Sequence, residues 1–75
     1  MGNRNNFWTT NHKDGWAVTR EGSQKASSVH STQAEAWKET RRRARGSEGE
    51  ALLQGKDGKI RARNTYGHDS YPPRG

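Results

Sequence analysis

The sequence predicts an α+β fold: a small antiparallel β-sheet with one helix, in the order β-β-β-α-β-β. Three observations predict it. Two Lys-Asp-Gly segments, Lys13-Asp14-Gly15 and Lys56-Asp57-Gly58, each lie between runs of strand-forming residues, and Asp-Gly supplies the positive φ that a tight hairpin needs. Thr32-Gln33-Ala34-Glu35 opens the one stretch of helical periodicity. Only 25% of the 75 residues are hydrophobic, which is enough for one core and too little for two.

The elements follow in order. Met1 to Asn6 is polar and reads as a flexible start, so the domain is expected over 7–66. Phe7 to His12 is rich in β-formers and predicts a first strand. After the first Asp-Gly turn, Trp16 to Arg20 alternates, with Trp16, Val18 and Arg20 on one face. A turn in Glu21-Gly22-Ser23-Gln24 leads to a third strand over Lys25 to His30, with Ala26 and Val29 as its apolar members.

The helix is expected from Gln33 to Arg45. The Thr32 hydroxyl caps the Glu35 amide and the Glu35 carboxylate answers. Ala34, Ala36, Trp37, Thr40 and Ala44 recur at helical spacing, which places Trp37 at the centre of the core. Arg41, Arg42, Arg43 and Arg45 crowd the end favoured by the helix dipole, and Gly46 stands where a left-handed cap belongs. A flexible link, Gly46 to Gly49, precedes a fourth strand over Ala51 to Gln54. The second Asp-Gly turn then gives a fifth strand over Lys59 to Asn64, with Ile60 and Ala62 inward and Lys59, Arg61 and Arg63 outward. Residues 67–75, with Tyr71 and Pro72-Pro73, read as an extended or disordered tail.

These residues resemble a bacterial family known as domain of unknown function 2188. The resemblance is carried by Asp14-Gly15-Trp16-Ala17-Val18, Arg20-Glu21-Gly22, Ala26-Ser27-Ser28 and Thr32-Gln33-Ala34-Glu35-Ala36. Gly55-Lys56-Asp57-Gly58-Lys59-Ile60-Arg61 and Asn64-Thr65-Tyr66-Gly67 complete it. It covers roughly Trp8 to Pro73. Trp37 departs from the small aliphatic residue expected after Ala36, and the arginine-rich helix end and Ser47-Glu48-Gly49 are less typical. The resemblance implies a compact bacterial or phage domain and adds no catalytic residue.

Chemistry narrows the function. With no cysteine there is neither a disulfide nor a thiolate ligand, and His12, His30 and His68 lack the spacing of a helical metal site. Ser27, Ser28 and Ser31 lie near His30, but a nucleophile needs a base and an orienting group in a sheltered cleft, which so little apolar surface can hardly wall off. Asp14 and Asp57 are accounted for by their turns. The expectation is no catalytic residue, no metal, no cofactor and no small-molecule substrate. No apolar run is long enough to span a membrane and no secretory signal is evident, so a cytoplasmic location is expected.

Charge carries the rest. Fourteen Lys and Arg against 8 Asp and Glu give a formal charge of +6 and a pI near 10.3. That balance favours polyanions, although charge of this size also serves solubility alone. Lys38, Arg41, Arg42 and Arg45 follow i, i+3, i+4, i+7 spacing and form one stripe on the helix. Lys59, Arg61 and Arg63 form a second row on the last strand. Merged, the two rows would offer phosphate contacts to DNA or RNA. The competing reading is an ion-paired helix face, with Glu35 and Glu39 as partners, beside a charge-protected edge strand. The small core keeps open a second function, a protein-interaction or dimeric accessory module related to stress or phage biology. Attachment to an anionic membrane surface is a third.

Overall fold

The computed structural model describes residues 5–66. The expectations for residues 1–4 and for the tail over 67–75, including His68, lie outside the described residues. The elements are β1 (Phe7–His12), β2 (Gly15–Arg20), β3 (Ser28–His30), α1 (Gln33–Ser47), β4 (Glu50–Gln54) and β5 (Ile60–Thr65). They form one five-stranded sheet in the order β3-β2-β1-β4-β5, with α1 across one face.

The element order is as the sequence predicts, but the sheet is mixed rather than antiparallel. Three neighbouring pairs are antiparallel, whereas β4 lies parallel to β1, pairing Phe7 with Ala51 and Thr9 with Leu53. The cause is the helix. Strand β3 runs in the same sense as β1, because β2 reverses the chain between them. A return from β3 to the far side of β1 needs a long crossover, and α1 supplies it, delivering β4 parallel to its new neighbour.

The core is made of small residues on the helix and mid-sized ones on the sheet. Ala36, Thr40 and Ala44, spaced i, i+4, i+8, form the fully buried stripe of α1 and pack on Phe7, Val18 and Ala51. Trp37 is therefore not the centre of the core. One residue is about 100° of rotation on a helix, so Trp37 sits to one side of that stripe, partly buried at its rim with Trp16 and Tyr66. Thr40 donates its hydroxyl proton to the Ala36 carbonyl (2.8 Å), which leaves the Thr9 hydroxyl to donate to Thr40 Oγ1. Both threonines are completely buried, so the pair brings a polar cross-link into the core with its hydrogen bonds made.

The helix ends differ from expectation in informative ways. Thr32 caps the N-terminus, with the Glu35 amide donating to its hydroxyl at 3.2 Å, while the Glu35 carboxylate accepts from Ser31. At the other end the helix runs through Gly46 to Ser47, and the left-handed residue is Glu48 (φ 60). The Glu48 and Gly49 amides donate to the carbonyls of Arg45 and Ala44. Ser47 holds the two added residues by donating to the Asn5 carbonyl at 2.7 Å. Gly46 is thus an interior helical residue with open space where a Cβ would lie. Gly46→Ala is expected to stabilise the domain by about 0.5–1 kcal/mol, read from urea unfolding. A loss of stability would instead place the left-handed residue at position 46.

Three smaller corrections follow. Strand β3 is three residues long rather than six, because Ser23 and Lys25 close a local turn before it. Ile60 does not point inward: it is 47% exposed beside a register shift between Leu53 and Gln54. Asn6, expected in the flexible start, is buried; its side chain donates to Glu21 (3.2 Å) and accepts from the Glu50 amide (2.8 Å).

Candidate nucleic-acid interface

Of the seven cations singled out by the sequence, the four on α1 and the two on β5 lie on different sides of the sheet, while Lys59 stands just before β5. Paired residues in a sheet share a face, and successive residues along a strand alternate. Thr9 faces α1, since its hydroxyl meets Thr40. Thr9 pairs with Leu53 and Leu53 with Ala62, so Ala62 and Asn64 also lie on the helix side. Arg61 and Arg63 therefore project from the opposite face, on which Trp8, Ala17 and Leu52 also lie. The expected merger of the helix stripe with the Lys59, Arg61, Arg63 row into one positive surface does not occur. Arg61 and Ala62 are neighbours in the strand, and the pleat sends them to opposite faces.

The helix stripe does assemble. Lys38, Arg41, Arg42 and Arg45 line an open groove of about 310 Å³ whose remaining wall is Tyr66, directly after β5. Tyr66 reaches this side because it continues the alternation of Ala62 and Asn64. It is fixed at two points: its amide donates to the Gly49 carbonyl (2.9 Å) and its phenol oxygen accepts from Asn64 Nδ2 (3.3 Å). Neither Tyr66 nor Trp37 was among the site residues read from sequence. A Trp four residues before an Arg on a helix is a legible pair, whereas Tyr66 becomes part of the site only through the sheet register.

Carboxylates neutralise some of these cations and spare others. Glu39 binds Arg42 through two hydrogen bonds (2.9 and 2.7 Å) and Arg43 through one (2.6 Å). On the other face Arg61 meets Asp57 at 2.8 Å and Arg63 meets Glu50 at 3.7 Å. Among the described residues, Lys38, Arg41, Arg45 and Lys59 make no ion pair. Three of those four line the groove.

The hydrogen bond from Arg42, helped by that from Arg43, lowers the Glu39 carboxyl from 4.5 to about 2, against the opposing effect of burial. A folded-state value below the unfolded one means the stabilisation is complete above about pH 4.5 and fades as the pH falls towards 2. After allowance for solvent screening the contribution is about 1 kcal/mol. Glu39→Gln is expected to lose roughly that amount at neutral pH and to flatten the acid dependence of stability across this window, measured by urea unfolding at several pH values. An equally steep acid dependence in the variant would assign it elsewhere.

Arg41 is the distinctive member. Its guanidinium carbon lies 5.5 Å from the centre of the Trp37 ring, and its Nε is buried with no hydrogen-bond acceptor among the described residues. Stacking on an aromatic face restrains the side chain at little cost to its charge. The arrangement sets a positively charged donor, unpartnered among the described residues, beside the groove.

No group of three or more histidine or acidic side chains is placed to hold a metal among the described residues. No helix among them is long and apolar enough to cross a membrane.

Fold and groove together define a small two-layer α+β domain whose helix presents a basic, aromatic-walled surface. The chain belongs to the bacterial family described as "Uncharacterized protein conserved in bacteria (DUF2188)", whose model matches residues 7–66. No curated protein and no solved structure matches it.

Proposed function

We propose that this domain binds nucleic acid without catalysing a reaction, through contacts between the α1 cations and backbone phosphates. The observation that carries the reading is the gathering of Lys38, Arg41 and Arg45, none paired with a carboxylate among the described residues, around one groove. Cations in this state attract polyanions and release counterions on contact. The groove walls are four cations and a phenol, a set suited to holding an anion rather than to moving protons. The row at Lys59, Arg61 and Arg63 plays at most a separate part, because Arg61 and Arg63 face the other way and are ion-paired.

The dimeric or protein-interaction alternative draws less support. Among the described residues the large apolar side chains left exposed are Val29 (43%) and Ile60 (47%), which sit on the two opposite edge strands and form no shared patch.

Fluorescence anisotropy with labelled oligonucleotides tests the proposal. Three phosphate contacts predict a log–log salt slope of about −2.7 on duplex DNA, at about −0.9 per contact, and about −2.1 on single strands, at about −0.7. Absence of binding at about 50 mM salt would sink the reading. Pelleting with anionic vesicles in its place would move the partner to a membrane surface.

A further inference from the structure

We infer that the groove takes one nucleotide unit of a single strand, its phosphate on Arg41 and Arg45 and its unstacked base against Tyr66. This rests on the polyanion reading above and names the form of nucleic acid it selects.

Four observations point the same way. First, the groove is small: about 310 Å³ is at the lower end of sites that enclose small ligands. Second, one wall is an aromatic ring held in place before any ligand arrives, by the Gly49 carbonyl and by Asn64. A ring set beside cations rewards a base whose face is exposed, and a duplex keeps its base faces stacked inside.

Third, Arg41 is arranged to receive one phosphate. Its guanidinium is restrained on Trp37, and its Nε is buried without an acceptor among the described residues. Buried polar groups are almost always satisfied, so such a donor asks for an explanation. A phosphate oxygen entering the groove, with a small rotation of the side chain, meets Nε and the adjoining terminal nitrogen as a fork. Fourth, among the described residues the β5 cations do not continue the positive charge of the groove. Arg61 and Arg63 lie across the sheet on Asp57 and Glu50, so the two rows of cations that would track the backbone of a duplex are not contiguous. What remains is a local cationic groove with a stacking wall, which suits an isolated nucleotide of a flexible strand.

The experiment compares single-stranded DNA, single-stranded RNA and duplex DNA of one sequence, by anisotropy at one salt concentration. Wild type is expected to bind the single strands about tenfold more tightly than the duplex, from one stacked base. Tyr66→Leu is expected to lose about tenfold on single strands, a larger loss than on the duplex, while Tyr66→Phe keeps the preference. Equal affinity for duplex and single strands, or an equal loss on both in Tyr66→Leu, overturns the inference while leaving the polyanion reading in place. No binding to any of the three overturns both.

Because Tyr66 also packs against the core, a second measurement stands apart from the variant. The Tyr66 ring-proton resonances of the wild-type protein are expected to shift upfield on addition of a single-stranded oligonucleotide, under the ring current of a stacked base, and to stay in place with the duplex. The same shift with both overturns the inference.

Discussion

Gly15→Ala is expected to remove most of the stability of this domain. Gly15 closes the β1–β2 hairpin opposite His12 with φ +136, a conformation that residues with a Cβ rarely adopt. Forcing a side chain into such a region costs about 1–3 kcal/mol. Space adds a second penalty. An added Cβ would lie 2.2 Å from the His30 carbonyl oxygen and 3.2 Å from its carbon, both backbone atoms. Relief requires β3 to move. That movement disturbs the Trp16–His30 pair and the Ser31-Thr32 entry to the helix, whose cap is Thr32.

The combined loss is about 3 kcal/mol or more, against a total of roughly 5 kcal/mol for a small domain. At about 4–8 °C per kcal/mol the melting temperature should fall by at least ~12 °C, measured by circular dichroism. Gly22→Ala is the control. Gly22 also has a positive φ (+89), but no atom of the described residues lies within 4 Å of its added Cβ. It should lose only the conformational part, about 1–2 kcal/mol. Equal losses at the two positions would show that β3 yields freely and that the contact with His30 is unimportant.

Replacing Lys38, Arg41 and Arg45 together with glutamine should have the largest effect on binding. These three face the groove without a carboxylate partner among the described residues. Each phosphate contact contributes about −0.9 to the salt slope on duplex DNA, so the slope should become shallower by about 2.7 and affinity near 0.1 M salt should fall by on the order of a hundredfold. The loss should be uniform across sequences, since phosphate contacts carry no base information. Arg61→Gln with Arg63→Gln removes two charges from the opposite face and should change affinity far less. Equal effects from the two sets, compared by anisotropy, would mean that net charge rather than the groove drives binding. Arg42 belongs in neither set: its removal leaves Glu39 with Arg43 alone, and the less neutralised carboxylate beside the groove confuses the result.

The helix stripe was legible because its geometry is local. Lys38, Arg41, Arg42 and Arg45 share a helix side by virtue of their spacing alone, and any helix there brings them together. The second row was equally legible as a row, since alternate residues of a strand share a face. What spacing does not contain is the relation between the rows. That depends on which face of β5 the helix covers, and hence on the pairing of Thr9 with Leu53 and of Leu53 with Ala62. Tyr66 escaped for the same reason.

The same division runs through the fold. Backbone preferences and short-range hydrogen bonds depend on neighbours in the chain, so the amino-acid sequence by itself determined the Asp14-Gly15 and Asp57-Gly58 turns, the Thr32 cap, the order of the six elements and the stripe on α1. Only the tertiary structure decided that β4 lies parallel to β1, that small residues rather than Trp37 fill the core, and that the helix passes Gly46 to end at Glu48. Gly49 shows the reason. It reads locally as part of a flexible link, yet it is buried, and an added Cβ would fall 1.9 Å from the Asn5 carbonyl oxygen, 44 positions earlier in the chain. Contacts between distant segments are set by how whole faces pack against one another, and packing is a property of the assembled layers that no window of neighbouring residues contains.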